Sequence, residues 1–201
     1  MQTMKIPTYA HKPHLRFTRD LWRTFEHRAL QIIDATCGQG FDTLILRDEA
    51  LAPDGRLIAL DIQPEALEKT FKAWNRHPCQ KPCTLTLHNL CHSHIDQVAD
   101  PGSIDLIVYN LGYLPHSDKR STTLAETTLT SANKALNLLA DSGMITFTVY
   151  PGHAAGEVES AHLSDWIKQL DPRKFQILKL EMIGQKSAPY VIVIQKRSFS
   201  C

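Results

Sequence analysis

Ile32-Ile-Asp-Ala-Thr-Cys-Gly-Gln-Gly-Phe-Asp-Thr43 decides how this chain folds. Ile32 and Ile33 read as the end of a buried strand. Gly38 and Gly40 permit a backbone that residues with a Cβ resist, and they leave room for a ligand against the main chain. A helix starts near Asp42. A strand, a Gly-x-Gly turn and a helix in succession mark a nucleotide-type cofactor site at the carboxyl end of a parallel sheet.

Outward from that turn, the pattern alternates. Residues 15–28 have helical character, with Leu15, Leu21, Trp22 and Phe25 on one face. Strands are expected at 30–34, 56–61, 83–88, 104–109 and 144–150. Pro53-Asp54-Gly55 reads as a turn before the second strand, and Asp141-Ser142-Gly143 as one before the fifth. Helices fill the gaps: one from Asp42, one from Pro64 at its first turn, a short one near 95–98, and a long one over 123–139. A helix over 157–170, with Leu163 and Trp166 inward, precedes two closing strands at 175–182 and 188–195. This predicts an α/β, class I methyltransferase (Rossmann-like) sheet of seven strands, with helices on both faces and the last strand antiparallel. A plain dinucleotide-binding fold is the nearest competitor. A single domain over residues 1–201 is expected, opening with a basic helical segment at about 1–28.

Composition sets the frame. The 201 residues are 43% apolar and 21% charged, ordinary for a soluble protein with a real core. No apolar run is long enough for a membrane span, and the polar, basic start lacks a signal-peptide core; a cytoplasmic protein is expected. The net charge is +1, but residues 1–28 carry +4. That segment reads as a polyanion contact or as a solvated helix face. The five cysteines, an odd number, argue against a disulfide framework. Cys79, Cys83, His88, Cys91, His92 and His94 lie close in sequence but lack paired CxxC spacing, so no structural metal is expected.

The turn itself discriminates between cofactors. A dinucleotide fingerprint wants Gly or Ala where Thr43 stands. Asp34 and Asp42 flank the turn and would oppose a pyrophosphate. S-adenosylmethionine carries a sulfonium and an amino group, so acids beside it are favourable. Thr36, Cys37, Gly38, Gln39 and Gly40 then line the cofactor. Asp61 ends the second strand and suits the ribose hydroxyls, or caps the helix that starts at Pro64. Ile62 and Gln63 would border the adenine, and His88 and Asn89 would approach its edge.

The chemistry is expected where the fourth strand ends, at Asn110-Leu-Gly-Tyr-Leu-Pro115. Amino-group methyltransferases place an Asn/Asp-Pro-Pro-aromatic loop there; here Leu-Gly replaces Pro-Pro. Methyl transfer to nitrogen needs an unprotonated lone pair aimed at the methyl, and orientation supplies much of the rate. The Asn110 carbonyl could fix that aim and Tyr113 could stack on a base. His116, Asp118, Tyr150 and His153 are candidates to accept the proton or orient the amine.

Four motifs stand in register: Asp34-Ala-Thr-Cys-Gly-Gln-Gly-Phe-Asp-Thr43; Asp61-Ile-Gln63; Asn110-Leu-Gly-Tyr-Leu-Pro115 with Asp118-Lys119; and Val149-Tyr-Pro-Gly-His153 with Gly156 and Glu159. Together they resemble the small bacterial "putative rRNA methylase" family, understood as tRNA 5-aminomethyl-2-thiouridine methyltransferase. The resemblance runs from about residue 14 to Lys196. It implies S-adenosylmethionine-dependent methylation of the aminomethyl group on the wobble uridine, position 34 of tRNA. It also implies cofactor contacts at Gln39, Asp42, Asp61 and Gln63. Two departures stand out: Gln39 where Asn is expected, and a run at 184–189 with less Asn and Pro than the family pattern.

Other readings stay open: a methyltransferase for rRNA, protein or a small molecule; a nicotinamide-dependent oxidoreductase; and a non-catalytic RNA-binding module. If tRNA is the partner, the basic 1–28 segment and a homodimer surface are expected to help hold it.

Overall fold

The computed structural model describes residues 12–25, 28–79, 81–112, 123–185 and 187–198. Tyr113, His116 and Asp118, expected near the chemistry, lie outside the described residues.

The sheet has seven strands: β1 (Ala29–Asp34), β2 (Leu51–Asp61), β3 (Cys83–Asn89), β4 (Ile104–Asn110), β5 (Leu139–Val149), β6 (Phe175–Leu180) and β7 (Tyr190–Lys196). Their spatial order is β3-β2-β1-β4-β5-β7-β6. The first five strands run parallel. The final strand β7 is antiparallel to both neighbours, β5 and β6. The near-continuous apolar runs of β1, β4 and β5 fit strands covered on both faces.

One face carries α1 (Pro13–Arg23), α2 (Phe41–Glu49) and α3 (Pro64–Arg76), with Trp22, Leu46 and Leu67 packed on Ile32, Leu57 and Leu106. The other carries α4 (Ala125–Leu138), α5 (Ala154–Ile167) and a short 3₁₀ helix, His92–Gln97. There Ile95, Ala132, Leu163 and Trp166 pack on Ile33, Ile58, Ile107 and Phe147. Strand alternation divides the two cores, because successive side chains point to opposite faces.

The boundaries move in informative places. The residues expected as turns, Pro53-Asp54-Gly55 and Asp141-Ser142-Gly143, lie inside β2 and β5. Each is an irregularity in the ladder: the register passes from Ala29↔Leu51 to Gln31↔Arg56, and from Ile104↔Leu139 to Leu106↔Met144. Asp54 and Ser142 take positive φ, so the turn chemistry is present although the strand resumes beyond it. Helix α5 starts three residues before the expected position because His153 caps it, its Nδ1 accepting the Gly156 N–H at 3.1 Å. Gly156 is required there, since a Cβ would collide with the Tyr150 carbonyl oxygen.

No helix among the described residues is long and apolar enough to cross a membrane. Nor does any group of three or more metal-ligating side chains come together among them. Cys79 and Cys83 are free thiols with sulfurs 3.8 Å apart.

Candidate cofactor and acceptor site

β1 pairs with β2 on one side and β4 on the other, so the chain changes direction of progress across the sheet at β1. Ligands bind α/β sheets in the crevice beyond the carboxyl ends of the strands at such a point. Asp34, Asp61 and Asn110 end β1, β2 and β4 there.

The turn after β1 is tightly braced. Gly38 and Gly40 have φ of +55° and +80°. The Gly40 N–H donates to the Cys37 carbonyl at 2.8 Å, and Gly40 precedes the first residue of α2. A Cβ on Gly40 would meet the Thr70 Cα at 2.9 Å, so α3 leaves no space for a larger residue. Thr70 also donates to the Gly38 carbonyl at 3.2 Å. Burial raises the Cys37 thiol well above its ordinary range. A neutral, inert sulfur therefore faces the turn, not a nucleophile.

Asp61 accepts the Gly38 N–H at 3.0 Å and the Gln63 N–H at 2.9 Å. One carboxylate thus ties the glycine turn to the residue before α3, without being that helix's side-chain cap. Two oxygens offer about four acceptor positions, leaving room for further donors. Asn89 joins this corner, its Nδ2 donating to the Asp61 carbonyl at 3.1 Å. His88 is in register with Leu60 and points to the other face of the sheet. Ile62 is about half exposed beside Asp61.

Asp34 is buried, accepting from the Thr43 hydroxyl at 2.6 Å and the Thr36 N–H at 3.4 Å. Burial pushes its pKa up to about 7; the Thr43 bond opposes this, and the Asp42 charge adds to it. Burial raises Asp61 as well. Crowded carboxylates held above their ordinary pKa favour an incoming cation.

A second chain of bonds leads to Asn110. Its backbone N–H donates to the Thr36 hydroxyl at 2.7 Å, and its Nδ2 donates to Asp42 at 3.1 Å. The other Asp42 oxygen accepts from Arg19 of α1 at 3.1 Å. Because Nδ2 is held by Asp42, the amide orientation is fixed and Oδ1 remains an acceptor. Tyr150 follows β5 beside this cluster; burial, with the Asp42 charge, pushes its phenol up to about 12.

The strand ends thus bring together Asp34, Thr36, Cys37, Gly38, Gly40, Asp42, Thr43, Asp61, Gln63, Asn89 and Asn110. His153 is engaged in capping α5. Gln39, half-buried, and Ile62, exposed, sit on the rim. Four residues carry parts that sequence reasoning did not assign. Arg19 pairs with Asp42, and Thr70 braces the turn. Glu159 accepts from Thr123 at 3.0 Å and Thr128 at 2.6 Å. Thr123 in turn accepts the Gly112 N–H at 3.0 Å, so α5 is linked to the backbone just beyond Asn110. No local spacing signals these pairs, which join residues 11 to 36 positions apart.

Sheet order, antiparallel seventh strand and acid-framed glycine turn define a class I methyltransferase fold that uses S-adenosyl-L-methionine. The turn fits that cofactor in its donor set: its surplus of carboxylates suits a sulfonium and an ammonium. The chain belongs to the family described as "Putative rRNA methylase", which residues 57–196 match. It is 30% identical over 184 residues to the chloroplastic tRNA (mnm(5)s(2)U34)-methyltransferase of Arabidopsis thaliana, covering 88% of this chain and 67% of that one. A solved "putative rRNA-methylase" from Clostridium thermocellum superposes with a TM-score of 0.84 at 30% identity, covering 91% of this chain and 97% of the other. A Streptococcus mutans protein described as a "putative methyltransferase", solved in complex with SAH, gives 0.76 at 27% identity with the same coverage. The chain is an S-adenosylmethionine-dependent methyltransferase. The nicotinamide reading is set aside.

Proposed function

We propose that the enzyme methylates the nitrogen of 5-aminomethyl-(2-thio)uridine at tRNA position 34, giving 5-methylaminomethyl-(2-thio)uridine. The observation that carries this reading is Asn110. It ends β4 beside the donor turn with its amide orientation fixed by Asp42, so Oδ1 can accept an N–H from an amine. The named activity of the Arabidopsis relative supports tRNA as the acceptor. The family description keeps rRNA as a second reading. We keep the cytoplasm as the compartment.

In this reading Asp61 holds the ribose hydroxyls, with Ile62, Gln63 and Asn89 around the adenine, and His88, on the other face of the sheet, has no part in it. Asp34 and Asp42 face the positive end of the cofactor, and Thr36, Cys37, Gly38, Gln39, Gly40 and Thr43 shape its bed. When bound, S-adenosylmethionine supplies an electrophilic methyl group on a sulfonium. Asn110 Oδ1 accepts one N–H of the neutral amine and so aims its lone pair; such alignment accounts for a large part of the rate. Tyr150 stays protonated at neutral pH and serves as a donor, not a base. His153 Nδ1 is used by α5, which leaves that nitrogen unsuited to take the amine proton. Tyr113, His116 and Asp118 keep their proposed parts in stacking and proton transfer.

Nucleoside mass spectrometry of RNA from a deletion strain tests the reading. Loss of methylaminomethyl-uridine from tRNA with a rise in aminomethyl-uridine is expected. An unchanged tRNA profile would overturn it, and a methyl group missing from rRNA instead would establish the second reading.

A further inference from the structure

A cavity of about 520 Å³ is lined by Lys12, His14, Tyr150, Met182, Gln185 and Pro189 among others. This volume is in the range of small-ligand sites. His14 is its unusual member. The side chain is only 6% exposed, yet neither Nδ1 nor Nε2 has a hydrogen-bond partner among the described residues. Leaving such atoms buried without partners is destabilising. A ligand in the cavity would supply the missing partners.

Tyr150 is the wall common to this cavity and the methyl-transfer cluster. Its ring meets His14 edge-on, with centroids 5.6 Å apart. A Cβ on Gly112, two residues beyond Asn110, would come within 3.8 Å of Tyr150 Cδ2. Tyr150 thus links the cavity beside His14 to the segment that follows Asn110.

Resting on the function proposed above, we infer that this cavity receives the pyrimidine ring of the target nucleoside and that His14 reads its polar edge. A neutral imidazole offers one donor and one acceptor, which matches the adjacent carbonyl and N–H of a uracil-type ring. Burial, and then the Lys12 charge, hold the His14 pKa below its ordinary value, which keeps the ring neutral. Met182 and Pro189 give apolar contact for the ring faces. Lys12, exposed at the mouth, is placed to meet the flanking phosphate. His14 is thus a specificity residue for the acceptor and has no part in holding the methyl donor.

The test is steady-state methylation of an anticodon stem-loop carrying 5-aminomethyl-uridine, using the full chain at saturating S-adenosylmethionine. His14→Phe keeps the ring contact with Tyr150 and removes the polar edge. It should raise KM for the stem-loop about three- to tenfold, with kcat and cofactor affinity within about twofold. His14→Gln keeps a donor and an acceptor and should restore most of the loss. In the wild-type protein, the His14 ring nitrogens should shift in ¹H–¹⁵N spectra when the stem-loop is added, a measurement that needs no variant to fold. If the wild type methylates the stem-loop while KM is equal in all three proteins, or the His14 signals stay still, the assignment is wrong. If the wild type does not methylate the stem-loop at all, the functional reading falls and this assignment falls with it.

Discussion

Asp61 and Asn110 end the two strands that flank β1; the proposed reaction gives them different parts, and substitution should separate them. Asp61→Ala removes the acceptor of the Gly38 and Gln63 N–H groups and, in the proposed reading, of the ribose hydroxyls. Charge-assisted bonds of this kind are worth about 1.5–3 kcal/mol, so calorimetry should show cofactor affinity falling at least tenfold. Asn110→Ala should lower kcat at least tenfold while cofactor affinity stays within a few-fold; a fully active variant would remove Asn110 from the chemistry. Asp34 gives a pH signature. Its pKa is lifted from 3.8 to about 7 in the folded protein. Between these values the folded state keeps a proton that the unfolded chain has released, so stability falls as pH rises through that window. Asp34→Asn does not titrate. Its stability relative to wild type should therefore improve by about 1–3 kcal/mol from pH 4 to pH 7, read by urea denaturation at each pH. Asp61 and Glu159 titrate in both proteins and largely cancel. The glycine turn, Asp61 and Asn110 were legible in the sequence because their meaning is local: a strand end followed by a fixed spacing. His14, Arg19 and Thr70 were not, because each acquires its part only from a residue on another element.

At the scale of elements, α1 shows how a basic segment can be structural. Arg16 pairs with Asp20, Arg19 with Asp42, and Arg23 with both Asp20 and Glu49. Over Pro13–Arg23 the positive charge is largely met by the protein's own acids, so the solvated-face reading suits this helix better than an RNA footprint. What holds α1 down is Trp22, 2% exposed, whose Nε1 donates to the Thr146 hydroxyl of β5 at 3.1 Å. Trp22→Ala should cost about 3–5 kcal/mol, and Trp22→Phe less, about 1–2 kcal/mol. Thermal denaturation would rank them, and equal values would mean that neither the ring volume nor the bond anchors the helix. Apolar periodicity marked the helices as such, because burying one face is a property of the whole segment, but it did not say which face of the sheet each would cover. Element ends were read less well. The ladder irregularities in β2 and β5 let strands continue past residues with turn chemistry, and the His153 cap starts α5 early.

For the molecule as a whole, the parallel strands aim their carboxyl ends at one rim, which the proposed donor and acceptor sites share. Adding S-adenosylhomocysteine should slow amide exchange at Gly38, Gln39, Ile62 and Asn89 and leave the amino-terminal ends of β1 and β4 unchanged; uniform protection along the strands would point to global tightening instead of a rim site. The alternation of strands and helices made this architecture readable in advance, including the antiparallel last strand. Spatial order is a different matter, since nothing near residues 190–196 announces that β7 inserts between β5 and β6. That placement bears on biosynthesis. Chains emerge from the ribosome amino end first, so β1 to β5 and the whole cofactor rim can be complete while the flank of β5 that β7 will occupy is still bare. Until β7 arrives, the nascent protein presents Ile145–Val149 as an open apolar border, the kind of border that invites pairing with another chain. The late strand therefore acts as a built-in seal, and the interval before it arrives is when a chaperone would matter most to this enzyme.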